Sequence, residues 1–343
     1  MSADNKDDPG AGPPTAGRLL IPVGLKPSSV RSSRIDAPIR GLSGATMGTG
    51  WSLAFAAPER IANADVVAAL EETFARVIRE MSGWENESEL CRFNRGEVGW
   101  RKLPPDFHHV LSRAMEIAEL TGGAYDPCLG ARVQELGFGP SAVHPGFRRG
   151  ERNKMQGWRD VRLDPDTRRA FQPGGVTLDL SSIAKGHAVD LCAARLKALG
   201  IASFLMEIGG EFAGEGVKPD GKPWWVELQL SDIPLAPGEP PHTDVALVNL
   251  ALATSGDFVR RREDVSHLLD GRTGEPLNGA LSGVSVMHAS AMEADGWATA
   301  VFALGPEAGM MMADAQKLAV VFAQRTPEGA RFALSRAASE MLG

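Results

Sequence analysis

The chain has 343 residues, of which 43% are hydrophobic and 23% charged, a composition typical of a soluble protein with a substantial core. Its formal net charge of −7 argues against the basic surface that nucleic-acid binding requires. The three cysteines are isolated, which argues against a disulfide framework or a zinc knuckle. No segment has the roughly 20 apolar residues of a membrane helix, and the N-terminus lacks the features of a signal peptide, so we expect a cytoplasmic protein.

The first 40 residues are acidic at the start and then rich in proline and glycine. They predict a disordered or extended N-terminal tail over 1–40, ahead of one folded domain over 41–343. Apolar residues at helical spacing predict helices in this domain. The predicted helices cover 62–84, 105–120, 183–199, 292–304, 306–316 and 327–341.

Short apolar runs with turn-rich borders predict strands between these helices. The predicted strands cover 176–180, 203–208, 224–230, 245–252 and 283–287. Strands and helices are mixed without regular alternation. The expected fold class is therefore α+β, with mixed sheets and packed helices, rather than a doubly wound parallel sheet.

The segment 176–190 reads VTLDLSSIAKGHAVD, a predicted strand that passes through small residues into a helix carrying Lys185. Free backbone N–H groups at a helix start, with a lysine beside them, suit an anionic phosphate. The spacing of a Walker A loop is absent. Taken alone, the segment is a weak signal, and an ordinary strand–turn–helix that exposes its lysine is the commoner explanation of such a pattern.

His267 and Asp270 lie in the segment 253–277, three residues apart and next to a glycine-rich turn. A histidine at such a position could act as a general base, because its ordinary pKa is close to neutral pH. A lone histidine is more often structural, and the spacing alone does not decide between the two readings.

Asp295 and Thr299 are four residues apart and share one face of the predicted helix over 292–304. A carboxylate and a hydroxyl are hard oxygen donors, which suit a magnesium ion that takes its other ligands from backbone, water and phosphate. The alternative is that Asp295 is only a favourable negative charge near the start of a buried helix.

Eight segments, taken in this order, resemble the FAD:protein FMN transferase family, the ApbE type. They are ATMGTGWS (45–52), MSGWENESELCRFN (81–94), GAYDPCLG (123–130), DLSSIAKGHAVD (179–190), IGGEFAGEG (208–216), ATSGDF (253–258), SHLLDGRTGEP (266–276) and ADGWATAVFALGP (294–306). The resemblance implies an α+β domain that binds FAD and Mg²⁺. It implies transfer of FMN to a Thr or Ser hydroxyl of an acceptor redox protein, with release of AMP.

The resemblance also implies roles for individual residues. For the donor these are Met47 and Trp84 along the flavin, Tyr125, Asp126 and Pro127 at the adenine or ribose end, Asp179 and Lys185 in contact with the cofactor, and Leu269 packed on it. For the metal they are the side chains of Asp295 and Thr299 and a backbone carbonyl of the 182–184 turn, with Ser182 as first choice. For the chemistry they are His267 as base and Asp270 as the residue that orients it.

Three positions depart from the common family pattern: SSIAKG replaces GGIAKG, Glu211 stands where Asp is usual, and Gly271 stands where Pro is common. The longer side chain of Glu211 puts a direct carboxylate role there in doubt. Two alternative functions would use the same FAD and metal site. One is an FAD pyrophosphatase, in which water replaces the acceptor hydroxyl, and the other is a non-catalytic FAD-binding protein.

Overall fold

The computed structural model describes residues 17–25, 37–140, 157–258, 261–262, 265–277 and 279–343. These residues form sixteen strands and eight α-helices. They are β1 (Arg18–Leu20), β2 (Ile39–Thr46), β3 (Thr49–Ala56), α1 (Asn63–Met81), α2 (Glu89–Asn94), β4 (Gly99–Lys102), α3 (Pro105–Leu120), α4 (Gly130–Glu135), β5 (Arg162–Asp164), β6 (Arg169–Gln172), α5 (Ala184–Ala198), β7 (Ser203–Ile208), β8 (Glu211–Glu215), β9 (Trp224–Glu227), β10 (Thr243–Leu247), β11 (Leu250–Gly256), β12 (Arg261–Arg262), β13 (Val265–Ser266), β14 (Leu281–His288), α6 (Ala291–Leu304), α7 (Pro306–Ala315), β15 (Ala319–Thr326), β16 (Gly329–Leu334) and α8 (Arg336–Ser339).

An eight-stranded sheet with the order β16-β15-β14-β11-β8-β7-β3-β2 forms the centre of the molecule. All of its neighbouring strands are antiparallel. Three smaller sheets accompany it among the described residues, with the orders β1-β10-β9, β4-β6-β5 and β12-β13. The predicted α+β class is therefore confirmed.

The central sheet is buried on both faces, because successive side chains along each strand point to opposite faces and enter two different cores. In β7, Phe204 and Met206 belong to the larger core, which includes apolar residues of α1, α5 and α6. Leu205, between them, packs on the other face, against a smaller core that includes Trp224 of β9 and Val245 of β10. One face is thus covered by α1, α3, α5, α6 and α7, and the other by the β1-β10-β9 sheet and α8.

Five predicted helices are confirmed within a few residues: those over 62–84, 105–120, 183–199, 292–304 and 306–316 correspond to α1, α3, α5, α6 and α7. The strands predicted over 203–208 and 283–287 are confirmed as β7 and part of β14. None of the helices in the described part of the chain is long and apolar enough to cross a membrane.

The helix predicted over 327–341 is wrong. Residues 329–334 form β16, which pairs with β15 in a hairpin, and only Arg336–Ser339 are helical. The alanine-rich composition of this segment favours a helix, but Ala330, Phe332 and Leu334 also alternate as a strand requires. Pairing with β15 overrides the local preference.

The strand predicted over 176–180 is also wrong, because only Thr177 makes a bridge, with Leu129. The side chain of Asn94 takes both backbone groups of Leu178: its Nδ2 donates to the carbonyl at 2.9 Å, and its Oδ1 accepts from the amide at 2.8 Å. The side chain of Asn94 therefore makes the hydrogen bonds to Leu178 that a neighbouring strand would otherwise make.

Two further strand predictions differ from the structure in extent. The segment 245–252 is divided between β10 and β11, which belong to different sheets, and Asn249 between them has φ 52°. Asparagine tolerates this left-handed conformation better than most residues, so the chain can turn there. The strand predicted over 224–230 ends at Glu227.

Part of the predicted N-terminal tail is folded. Arg18–Leu20 forms β1, which runs parallel to β10, and the side chain of Leu20 is fully buried in the smaller core. Burial of a leucine stabilises this contact by about 1.5–3 kcal/mol, which offsets the entropy of ordering a short segment. Residues 1–16 and 26–36 of the predicted tail lie outside the described residues.

Candidate functional site

A cavity of about 1760 Å³ lies at one end of the central sheet. The register places the β2–β3 turn, the Gly209–Gly210 corner between β7 and β8, and the end of β11 at this end. Eleven of the thirteen residues predicted for the site line the cavity. They are Met47, Trp84, Tyr125, Asp126, Asp179, Ser182, Lys185, His267, Leu269, Asp295 and Thr299.

The close contact between α5 and α6 positions Asp295. A Cβ atom at Gly186 would lie 2.2 Å from the carbonyl oxygen of Ala291 and 2.8 Å from Cβ of Asp295, so only glycine permits this approach. The backbone N–H of Gly186 donates to Oδ2 of Asp295 at 3.0 Å. Asp190 of α5 also caps α6, because its carboxylate accepts from the backbone N–H groups of Ala291 and Met292 at 2.7 and 3.0 Å.

This arrangement frees a backbone carbonyl at the start of α5. In a regular helix the amide of Gly186 would bond to the carbonyl of Ser182, four residues earlier. It donates to Asp295 instead, while the next carbonyl, that of Ile183, accepts from the amide of His187 at 3.2 Å. The Ser182 carbonyl therefore does not accept the helical hydrogen bond from the amide four residues later.

Lys185 and Glu211 form an ion pair in the cavity wall, with Nζ 2.5 Å from Oε1. Glu211 is only 2% exposed, and its other oxygen, Oε2, has no hydrogen-bond partner among the described residues. Burial raises the pKa of Glu211 to about 8, although Lys185 opposes the rise. Burial likewise raises the pKa of Asp295, and Lys185 and the Gly186 amide oppose that rise. The side chain of Glu211, one methylene longer than an Asp, thus contacts Lys185 near the start of α5.

Thr299 lies one helical turn after Asp295 on α6, and its hydroxyl oxygen is 3.0 Å from Oγ of Ser255 at the end of β11. Both side chains line the cavity. The ATSGDF segment contains Ser255, but nothing in its local pattern distinguished this serine from the other polar residues of the turn. Its contact depends on the packing of α6 against β11.

The Tyr125–Pro127 turn and the start of α5 are joined by two hydrogen bonds. Oγ of Ser182 donates to the hydroxyl of Tyr125 at 3.0 Å, and the amide of Asp179 donates to the carbonyl of Pro127 at 2.8 Å. Burial raises the pKa of Tyr125 far above its ordinary value, so its hydroxyl stays protonated. Pro127 does not line the cavity but fixes the backbone that carries Asp179.

Asp126 and Gly271 bring the turn before α4 against the 270–274 turn. Oδ1 of Asp126 accepts from the amide of Cys128 at 2.8 Å, and burial raises the pKa of this carboxyl. The amide of Gly271 donates to the carbonyl of Ala124 at 2.9 Å, a bond that the proline common in the family cannot make. A Cβ at Gly271 would lie 2.7 Å from Cβ of Asp126, so the two turns are in direct contact.

The side chain of Asp270 is bound within its own turn. Both carboxylate oxygens of Asp270 accept from the guanidinium of Arg272, at 2.9 and 2.8 Å. Partial burial would raise the pKa of Asp270, but these bonds hold it below its ordinary value. Two residues of separation within a tight turn favour this local contact. His267 lines the cavity, with its ring centroid 6.1 Å from that of Phe138, a residue that the sequence did not point to.

The apolar part of the cavity wall includes Met47, Trp84 and Leu269. Met47 occupies the β2–β3 turn with φ 47°, and Leu269 bridges to Pro276 across the 270–275 turn. Trp84 is 64% exposed and follows α1, where its amide donates to Oγ of Ser82 at 3.1 Å. These side chains form apolar surfaces at the rim and wall, suited to packing on a flat ring.

The described residues contain no group of three or more His, Cys, Asp or Glu side chains that could hold a metal ion. A cation in this cavity would therefore depend on mixed oxygen donors. Asp295, Thr299 and the Ser182 carbonyl supply a carboxylate, a hydroxyl and a backbone oxygen. This donor set fits Mg²⁺, which is typically bound through one or two carboxylates and completes its shell with water and phosphate oxygens.

Comparison with known proteins supports the family resemblance carried by the eight segments. The model of the ApbE family matches residues 47–322. A protein of Haemophilus influenzae named FAD:protein FMN transferase is 31% identical over 321 residues, covering 88% of this chain and 91% of the relative. A protein of Vibrio cholerae with the same name is 31% identical over 310 residues, covering 84% and 88%.

Two solved structures have the same fold. The flavin transferase ApbE from Vibrio cholerae has a TM-score of 0.80 at 30% identity, covering 89% of this chain and 100% of that one. The apo form of the Pseudomonas stutzeri flavinyl transferase ApbE has a TM-score of 0.79 at 28% identity, covering 90% and 98%. The resemblance inferred from the sequence is thereby confirmed, and this chain belongs to the ApbE family.

Proposed function

We propose that this protein is a Mg²⁺-dependent flavin transferase, which moves the FMN half of FAD to a Thr or Ser hydroxyl of an acceptor redox protein and releases AMP. One observation carries the proposal: hard oxygen donors, a lysine and a histidine from distant segments line a single cavity. At about 1760 Å³ the cavity exceeds the roughly 300–1,000 Å³ typical of small-molecule sites, so it has room for a dinucleotide and an acceptor segment. The names of the relatives support the same activity.

Asp295, Thr299 and the Ser182 carbonyl would hold the Mg²⁺ ion. When bound, the ion would neutralise the negative charge of the diphosphate and polarise the phosphorus that is attacked. Asp295 is 4% exposed, so its carboxylate is costly to keep ionised in the cavity wall without a nearby positive charge. The raised pKa of Asp295 is the expected consequence of this burial.

The remaining predicted residues would hold FAD. Lys185 and the backbone at the start of α5 would face the phosphates, close to Asp179. Met47, Trp84 and Leu269 offer apolar surfaces for the flavin and its surroundings. Tyr125, Asp126 and Pro127 would form the turn at the adenine or ribose end.

His267 would be the general base. The acceptor hydroxyl gives its proton to the His267 imidazole as its oxygen forms a bond to the FMN-side phosphorus. The bond between that phosphorus and the bridging oxygen breaks, and AMP leaves with the electron pair. Asp270 is held by Arg272 within the same turn, and we assign it no contact with the imidazole. The ring of Phe138 beside His267 supports the imidazole from the side of the α4 segment.

The test is to incubate the protein with FAD, MgCl₂ and a recombinant flavin-carrying domain of a redox protein from the same genome. We expect the acceptor to gain the mass of FMN in intact-mass spectrometry and AMP to appear in equal amount. Replacing the target Thr or Ser by Ala in the acceptor should abolish the gain. AMP and free FMN without labelled acceptor would instead indicate an FAD pyrophosphatase. Binding of FAD with no release of AMP would indicate a non-catalytic flavin-binding protein.

A further inference from the structure

The hydroxyl of Thr299 differs from other hydroxyls on the helices of this chain. Serine and threonine in helices commonly donate to the carbonyl four residues earlier. Thr73, Ser112 and Ser339 do so, at 2.9, 2.7 and 3.0 Å. The partner of Thr299 is instead Oγ of Ser255, 3.0 Å away on β11. The Thr299 hydroxyl is therefore directed by the sheet and not by its own helix.

A hydroxyl has one proton to donate and two lone pairs with which to accept. To bind a cation, Thr299 must turn a lone pair toward the ion and its proton away from it. Ser255 Oγ is placed to accept that proton. We propose that Ser255 is a positioning residue that accepts the Thr299 proton and so holds the Thr299 oxygen ready for the divalent cation. This inference rests on the proposed function, in which Thr299 is a ligand of Mg²⁺.

The surroundings of Ser255 hold it in place. It lies in β11, which is paired on one side with β14, where Ser255 is opposite Val284. α6, which carries Thr299, packs directly against β11. The Ser255 side chain is 8% exposed and lines the cavity. Once it accepts from Thr299, its own proton is available to the cavity, where the phosphate oxygens of FAD are proposed to lie.

The chain offers a matched control in the same strand pair. Oγ1 of Thr254 and Oγ of Ser285 form a hydroxyl–hydroxyl hydrogen bond between β11 and β14, at 2.5 Å. Ser285 is buried and does not line the cavity. Ser285→Ala therefore removes a contact of the same chemistry, one residue away along the sheet, and leaves the Ser255–Thr299 pair intact.

The experiment measures binding of Mn²⁺ to the protein without FAD, by electron paramagnetic resonance of the free ion. Loss of an outer partner of a metal ligand typically weakens binding about 10- to 100-fold. We expect this loss for Ser255→Ala and for the near-isosteric Ser255→Cys, because a thiol is a weak acceptor. Ser255→Thr, which keeps the hydroxyl, should retain most of the affinity, and Ser285→Ala should match the wild type.

A second measurement separates positioning from folding. In AMP release from FAD, Ser255→Cys should raise the Mg²⁺ concentration for half-maximal rate by a similar factor, with much of kcat recovered at saturating Mg²⁺. Asp295→Asn reports on the proposed metal site itself. If Asp295→Asn weakens Mn²⁺ binding but Ser255→Ala and Ser255→Cys do not, the inference is overturned and the proposed function stands. If Asp295→Asn binds Mn²⁺ as the wild type does, the metal site is wrong and the inference falls with it.

Discussion

The tight contact between α5 and α6 at Gly186 predicts that alanine at this position destabilises the protein. Alanine at this position would place Cβ 2.2 Å from the carbonyl oxygen and 2.6 Å from the carbonyl carbon of Ala291. These are backbone atoms of α6, which cannot rotate away as the end of a side chain can. The two helices must therefore move apart, and the Gly186 amide must withdraw from Asp295.

One favourable and two unfavourable effects set the magnitude for Gly186→Ala. Alanine is favoured over glycine inside a helix by about 0.5–1 kcal/mol. Overpacking of a tight contact costs about 1–3 kcal/mol, and the loss of the hydrogen bond to the Asp295 carboxylate adds about 1.5–3 kcal/mol. We expect a net decrease of about 1.5–5.5 kcal/mol in the free energy of unfolding.

The assay is urea unfolding, in which a lower midpoint with an unchanged slope reports a loss of stability. Gly296→Ala on α6 is the matched control, because its Cβ would meet the end atoms of two flexible side chains, Cδ1 of Ile117 at 2.8 Å and of Ile183 at 3.2 Å. It should lose less stability than Gly186→Ala. If Gly186→Ala unfolds at the wild-type midpoint or above that of Gly296→Ala, the close backbone contact that we describe is not present.

Three more predictions concern other parts of the molecule. His267→Ala should slow FMN transfer by about 10²–10⁴-fold and leave the Kd for FAD nearly unchanged, as measured by flavin fluorescence. The pKa of Glu211 is raised from 4.5 to about 8, so the folded state holds this proton more tightly than the unfolded state does. The free energy of unfolding should therefore fall as the pH rises from about 5 to about 8, and Glu211→Gln should reduce that fall. Arg325→Met should cost about 1.5–3 kcal/mol, because it removes two guanidinium bonds, at 2.9 and 2.6 Å, from the buried carboxylate of Asp257.

Each of these has a result that would contradict it. Near wild-type transfer by His267→Ala would exclude His267 as the base. An equal loss of stability with pH in wild type and Glu211→Gln would show that the carboxyl of Glu211 is not the group responsible. For Arg325→Met the comparison is Arg331→Met, an exposed position of the same hairpin. Equal unfolding midpoints of these two variants would mean that the Asp257–Arg325 pair contributes little.

Much of the fold could be predicted because its signals are local. The helical spacing of apolar residues located α1 and α3 within a few residues, and β-type composition located β7. The segment 327–341 shows the limit of this approach. Its residues suit a helix by composition, and the outcome depended on pairing with β15, the preceding strand, which is itself held in the central sheet by β14.

The candidate site could be predicted as a set of residues but not as a set of contacts. Eleven of its thirteen predicted members line one cavity, and they were found because motifs with unusual residue combinations occur in a family's order. The contact of Asp270 with Arg272 was not predicted, since spacing along the chain does not tell which neighbours a carboxylate will bind.

The sequence alone determined the family, the α+β class and the residue types available for chemistry, because these depend on periodicity and on short motifs. The tertiary structure decided which side chains meet. Lys185 is paired with Glu211, Asp295 accepts from Gly186, and Ser255 contacts Thr299. These partners are far apart along the chain, and sheet register and helix packing bring them within hydrogen-bonding distance.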